Sequence, residues 1–97
     1  MHAEFESSIR IEFYGIPRQR AGVAETAIDL AEPSLDLATI LTVLAERYPD
    51  FGRDCVFAGR LRTGYLANVS GEQFVTDPTL RLQAGDCLLI MTADAGG

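Results

Sequence analysis

Only one stretch of this chain carries the spacing of a helix, and that limits the folds open to it. Leu37, Ile40, Leu41, Leu44 and Tyr48 recur at i, i+3, i+4, i+7 and i+11, which is one apolar face of an amphipathic helix. Ser34 or Asp36 can cap its N-terminus by accepting hydrogen bonds from free backbone N–H groups, with Pro33 just before. Pro49 ends it, because the residue before a proline disfavours the α region. A stripe of this kind reads as core packing rather than as a cofactor box. In a chain of 97 residues, one such stripe needs a sheet to cover it.

The strands are legible from their alternation. In Ile9-Arg10-Ile11-Glu12-Phe13-Tyr14 the apolar side chains Ile9, Ile11 and Phe13 face the core, and Arg10, Glu12 and Tyr14 face outward. Gly15 to Gly22, with Pro17, Arg18 and Arg20, reads as a loop, and Val23 to Leu30 as a second strand closing a hairpin. Residues 50–64 are irregular, with turns at Gly52, Gly59 and Gly64. Tyr65 to Val69, Gln73-Phe74-Val75 and Cys87 to Thr92 read as strands, separated by turns at Ser70-Gly71, Asp77-Pro78 and Gln83-Ala84-Gly85-Asp86.

The order β-β-α-β-β(-β) specifies an α+β domain: a mixed sheet of four to five strands with one main helix packed on one face. The β-grasp is the first fold of this kind to consider. Residues 1–8 read as a mobile extension, 9–92 as the domain, and 93–97 as a flexible tail.

Composition narrows the function. The net charge is −6 and all eight basic residues are arginine. An acidic surface disfavours nucleic acid, which needs a basic face, and suits a basic protein partner. Without lysine, no side-chain amine of this chain can take up an acyl group as an isopeptide. Cys55 and Cys87 lie far apart without CxxC spacing, which excludes a four-cysteine iron–sulfur or zinc site from this chain alone. They read as free thiols in a reducing compartment. The single histidine, His2, falls in the N-terminal extension and anchors neither an acid–base nor a metal site. No apolar run reaches transmembrane length, and Met1-His2-Ala3-Glu4-Phe5-Glu6 is no signal peptide, so a soluble cytoplasmic protein is expected. No catalysis by this chain alone is expected.

Two features remain for function. Alternation in the last strand places Leu88 and Ile90 in the core and Cys87, Leu89 and Met91 on the other face. If that strand neighbours the first, Tyr14 joins Leu89 and Met91 in an outward patch suited to docking; burial of the strand on both faces is the alternative. The patch adjoins a C-terminal Gly96-Gly97. Glycine lets backbone approach a surface closely, so a diglycine can thread a narrow slot and present an unshielded carboxylate. A frayed tail is the other reading.

Taken in order, these pieces resemble the ubiquitin-like sulfur carriers of the molybdopterin-synthase small-subunit and thiamine-biosynthesis type. The match is carried by Ile9 to Gly15 with Arg18 and Gly22, by Leu44-Ala45-Glu46-Arg47-Tyr48-Pro49, by Val69-Ser70-Gly71-Glu72, by Leu82-Gln83-Ala84-Gly85-Asp86, and by Gly96-Gly97. It covers residues 8–97.

The resemblance implies a β-grasp fold and a carrier role. A ubiquitin-activating-type enzyme would use ATP to adenylate the Gly97 carboxylate, and sulfur would then replace AMP to leave a thiocarboxylate. Gly96 would keep the threaded tail narrow, and Tyr14, Leu89 and Met91 would dock the activating enzyme. The other partner would be a large synthase subunit or another sulfur-accepting enzyme, with no cofactor or metal bound to the carrier itself.

The chain departs from the family in its tail. Thr92 and Ala93 stand where two prolines are usual, Asp94 where an apolar residue is usual, and Ser70 where the turn asparagine is usual. A more flexible and more acidic tail follows. The departures leave the pathway open between molybdenum cofactor synthesis, thiamine, cysteine and another thiolated metabolite. A ubiquitin-like protein modifier and a non-covalent β-grasp binding module are the competing classes.

Overall fold

The computed structural model describes residues 7–93. Its first strand, β1 (Ser8–Phe13), follows the predicted alternation, with Ile9, Ile11 and Phe13 at 0–1% exposure. It pairs antiparallel with β2 (Glu25–Asp29). Between them, where a loop is expected, lies a short helix, α1 (Ile16–Ala21). Pro17 fits its first turn, where a missing N–H costs nothing, and the Gly22 N–H bonds back to Arg18 O from a left-handed C-cap. The punctuating residues bound a helix here rather than forbid one.

After β3 (Ser34–Asp36) comes the main helix, α2 (Leu37–Arg47). Asp36 is its N-cap, and its carboxylate accepts the Thr39 N–H at 2.8 Å. Ser34 is not the cap; it belongs to β3 and its Oγ accepts from Arg81 Nε at 2.7 Å. Leu37, Ile40, Leu41 and Leu44 are buried as the stripe requires, and Tyr48 sits half-buried at the C-cap with its ring edge-on to Phe13. Pro49 does end α2, but it also opens α3 (Pro49–Cys55), a second departure from the irregular segment expected there. Gly52 lies inside α3 because α2 passes so close that a Cβ would stand 2.6 Å from Ala45 O.

A small hairpin, β4 (Val56–Phe57) with β5 (Arg60–Leu61), leads to β6 (Tyr65–Val69) and β7 (Gln73–Val75). The last strands are β8 (Arg81–Gln83), paired with β3, and β9 (Cys87–Thr92). The principal sheet has five strands in the order β2-β1-β9-β6-β7. Strand β9 lies at its centre, parallel to β1 and antiparallel to β6.

One face of this sheet is the core. Ile9, Ile11, Phe13, Ala67, Leu88 and Ile90 meet Ile40, Leu41 and Leu44 of α2 and Phe51 of α3. Each large side chain taken from water there contributes about 1.5–3 kcal/mol.

Candidate docking face and tail exit

Register decides which residues share the second face of the sheet. On β9, Leu88 lies beside Ile11 and Val69, and Ile90 beside Phe13 and Ala67; both are 0% exposed. The alternate residues pair outward: Cys87 with Arg10, Leu89 with Glu12 and Asn68, Met91 with Leu66. Cys87, Leu89 and Met91 are half-buried, so this face is neither sealed like the core nor fully wet.

Tyr14 joins them at the end of β1. Its N–H donates to Ile90 O at 2.9 Å, which sets it level with Met91, and the residue is 44% exposed. The structure thus brings the three predicted docking residues, Tyr14, Leu89 and Met91, onto one face. Sequence reading missed two more members, Leu66 and Phe74. Phe74 pairs with Asn68 on β6 and is 62% exposed. Its signal was available, since Phe74 must point opposite to Val75 in the same short strand.

Electrostatics tie the patch together. The Tyr14 hydroxyl donates to Glu12 Oε1, and Arg10 Nη2 donates to Glu12 Oε2 at 3.0 Å. The Tyr14 hydrogen bond, with help from Arg10, holds the Glu12 carboxyl below the usual carboxylate range; the same bond pushes the Tyr14 phenol up. Burial pushes the Cys87 thiol up, partly offset by the Arg10 guanidinium.

At the end of β9 the chain is fastened before it leaves the sheet. The Ile16 N–H donates to Thr92 Oγ1 at 3.0 Å, and the Ala93 N–H donates to Gly64 O at 2.7 Å. Gly15 makes the first bond possible: its φ is +64°, and a Cβ there would stand 2.5 Å from Thr92 Oγ1. Thr92 and Ala93 lack the prolines of the resembled family, yet both are held by hydrogen bonds. Gly96 and Gly97 lie outside the described residues.

Among the described residues no cluster of three or more His, Cys, Asp or Glu side chains could hold a metal ion. No helix there is long and apolar enough to cross a membrane.

A central β9 between β1 and β6, with a helix across one face, defines the ubiquitin-like β-grasp fold. Solved structures share it over nearly the whole chain. Small archaeal modifier protein 1 from Haloferax volcanii matches with a TM-score of 0.75 at 19% identity, covering 93% of this chain and 99% of its own. A Pyrococcus furiosus protein provisionally named molybdopterin converting factor subunit 1 matches with 0.69 at 21% identity, covering 88% and 95%. A chain of the BexX/CysO complex of Amycolatopsis orientalis matches with 0.66 at 21% identity, covering 92% and 99%. No protein-family model and no curated protein matches the sequence.

Proposed function

We propose that this protein is a sulfur carrier acting through its C-terminal Gly97. The observation that supports the reading most is the placement of β9. The strand that leads to Gly96-Gly97 is pinned at the sheet centre, and Thr92 and Ala93 hold the tail's point of departure beside Tyr14 and Met91. A partner seated on that face has the tail's point of departure at its edge. The likeness in fold to a small archaeal modifier protein, a molybdopterin converting factor subunit and a chain of the BexX/CysO complex agrees with this.

In this reading a ubiquitin-activating-type enzyme binds the Tyr14, Leu89 and Met91 face and ATP. A Gly97 carboxylate oxygen attacks the α-phosphorus and pyrophosphate leaves. A sulfur nucleophile then attacks the acyl carbon, the C–O bond to AMP breaks, and a thiocarboxylate remains. Gly96 keeps the tail thin enough to enter the active site of a sulfur-accepting synthase. The pathway we favour is molybdenum cofactor synthesis, with this chain as the small subunit of molybdopterin synthase; thiamine, cysteine or another thiolated metabolite is the alternative. The reading sets this work in the cytoplasm, where ATP is available and thiols stay reduced. The chain is a carrier in this scheme, and its partners do the catalysis.

A second reading, a protein modifier joined through Gly97 to a target amine, is favoured by the likeness to small archaeal modifier protein 1.

Intact-mass measurement after incubation with ATP, a sulfide source and the host's activating enzyme separates these. Exchange of one oxygen for sulfur at Gly97 supports the carrier. Higher-mass protein adducts beside an unchanged chain support the modifier. Neither product, with the enzyme active on a control carrier, leaves a non-covalent binding module.

A further inference from the structure

The open face carries polar groups that the chain compensates only in part, and they run along one row. Glu25, Glu12, Leu89, Asn68 and Phe74 are successive cross-strand partners from β2 to β7. Two positions along the row, Asn68 and the facing pair Glu12–Glu25, are costly in the isolated chain.

Asn68 is 6% exposed, and its carboxamide oxygen is buried without a hydrogen-bond partner. An unmet buried acceptor costs free energy that an apolar residue of the same size would not. The neighbours Leu66, Leu89, Met91 and Phe74 make an apolar substitute easy to accommodate. At the other end of the row, Glu12 and Glu25 are directly opposite each other on antiparallel strands, an arrangement in which like charges destabilise. Arg10 reaches Glu12 but no ion pair reaches Glu25 among the described residues. The face as a whole presents Glu12, Glu25 and Asp29 against Arg10, and the chain is at −6.

We propose that this row is read by a partner protein whose docking surface is apolar at its centre and basic at its rim. It donates one hydrogen bond to Asn68 and sets an arginine or lysine over the Glu12–Glu25 pair. Asn68 and Glu25 are then specificity-determining residues: an apolar centre alone would accept any greasy surface, whereas these two reject a partner lacking a donor and a cation. Phe74, exposed on the edge strand β7, is the side chain best able to yield as the donor enters. The inference rests on the carrier reading above, since it takes the adenylating enzyme as the occupant of this face.

The test is ATP–pyrophosphate exchange by the host's ubiquitin-activating-type enzyme, with the full-length chain as the varied substrate. Asn68→Leu should raise KM for the carrier about tenfold with kcat little changed, as expected for one lost buried hydrogen bond. Glu25→Arg can pair with Glu12 inside the chain, so it should raise the melting temperature and raise KM together. It lies on the exposed edge strand and keeps the test intact if Asn68→Leu folds poorly. Wild-type exchange with KM unchanged in both Asn68→Leu and Glu25→Arg overturns this inference alone. No exchange with the wild-type chain overturns the carrier reading and this inference with it.

Discussion

The hydroxyl of Thr92 accepts a hydrogen bond from the backbone N–H of Ile16, 3.0 Å away and 76 residues earlier in the chain. This bond joins the end of the central strand to the start of α1 and fixes where the tail leaves. Thr92→Val keeps the shape and removes the acceptor, so it should cost about 0.5–1.5 kcal/mol. Gly15→Ala should cost more, about 1–3 kcal/mol, because it adds a strained positive φ to a Cβ facing Thr92 Oγ1. Urea denaturation of both variants checks the order. Equal stability of Gly15→Ala and the wild type would show that α1 and β9 part without penalty.

Gly52 tests a different kind of closeness. By helix propensity alone, Gly52→Ala should stabilise α3 by about 1 kcal/mol. Its new Cβ would stand 2.6 Å from Ala45 O and 2.8 Å from Ala45 Cα, both backbone atoms of α2 that cannot swing aside. Overpacking of this type costs about 1–3 kcal/mol, so we expect net destabilisation and a lower melting temperature. A rise in melting temperature would mean that the two helices slide apart freely.

These two glycines also mark where the sequence was hard to read. The strands Tyr65–Val69, Gln73–Val75 and Cys87–Thr92 were legible to the residue, because alternation and turn residues agree there. The α2 stripe was legible for the same reason. Helices α1 and α3 were not: they have six and seven residues, too short for a hydrophobic period to establish itself. Gly15, Pro17, Gly22, Pro49 and Gly52 look like breakers in sequence, yet they serve as caps, first-turn residues and a packing contact. The strand pair of Ser34–Asp36 with Arg81–Gln83 depends on a long-range register that no local pattern carries. On the open face, the shared placement of Tyr14, Leu89 and Met91 followed from strand alternation plus the assumption that β1 neighbours β9. Asn68 did not, because its burial depends on β6 lying between β9 and β7.

The cap of α2 gives a pH dependence with a definite sign. The Thr39 side chain first, and then the hydrogen bond from the Thr39 N–H, hold the Asp36 carboxyl below the usual carboxylate range. A group whose pKa falls on folding adds stability above its unfolded pKa and loses it as pH drops through the folded value. The cap should therefore be fully effective at neutral pH and fade below about pH 4, the ordinary range of an aspartate. Asp36→Ala should lower the melting temperature by a few degrees at pH 7. Near pH 2 the difference from wild type should shrink. Thermal melts across that range check it, and a gap that stays constant to pH 2 would refute the assignment of Asp36 as an ionised cap.

The two thiols should separate cleanly by accessibility. Cys55 is 0% exposed at the end of α3, and burial raises its pKa while Tyr65 only partly offsets the effect. Cys87 is half-buried on the open face beside Arg10, with its pKa also raised by burial. Alkylation needs both a thiolate and access. Both thiols should be slow at pH 7, but Cys87 reaches solvent without unfolding, whereas Cys55 must wait for the helix to open. Iodoacetamide on the native protein should give one adduct, mapped to Cys87, with a rate that climbs as pH rises. A second adduct, on Cys55, should follow only in denaturing urea. A partner seated on the open face should slow the first adduct and leave Cys55 as unreactive as before. Equal labelling of both cysteines in the native protein would mean that α3 does not stay closed over its end.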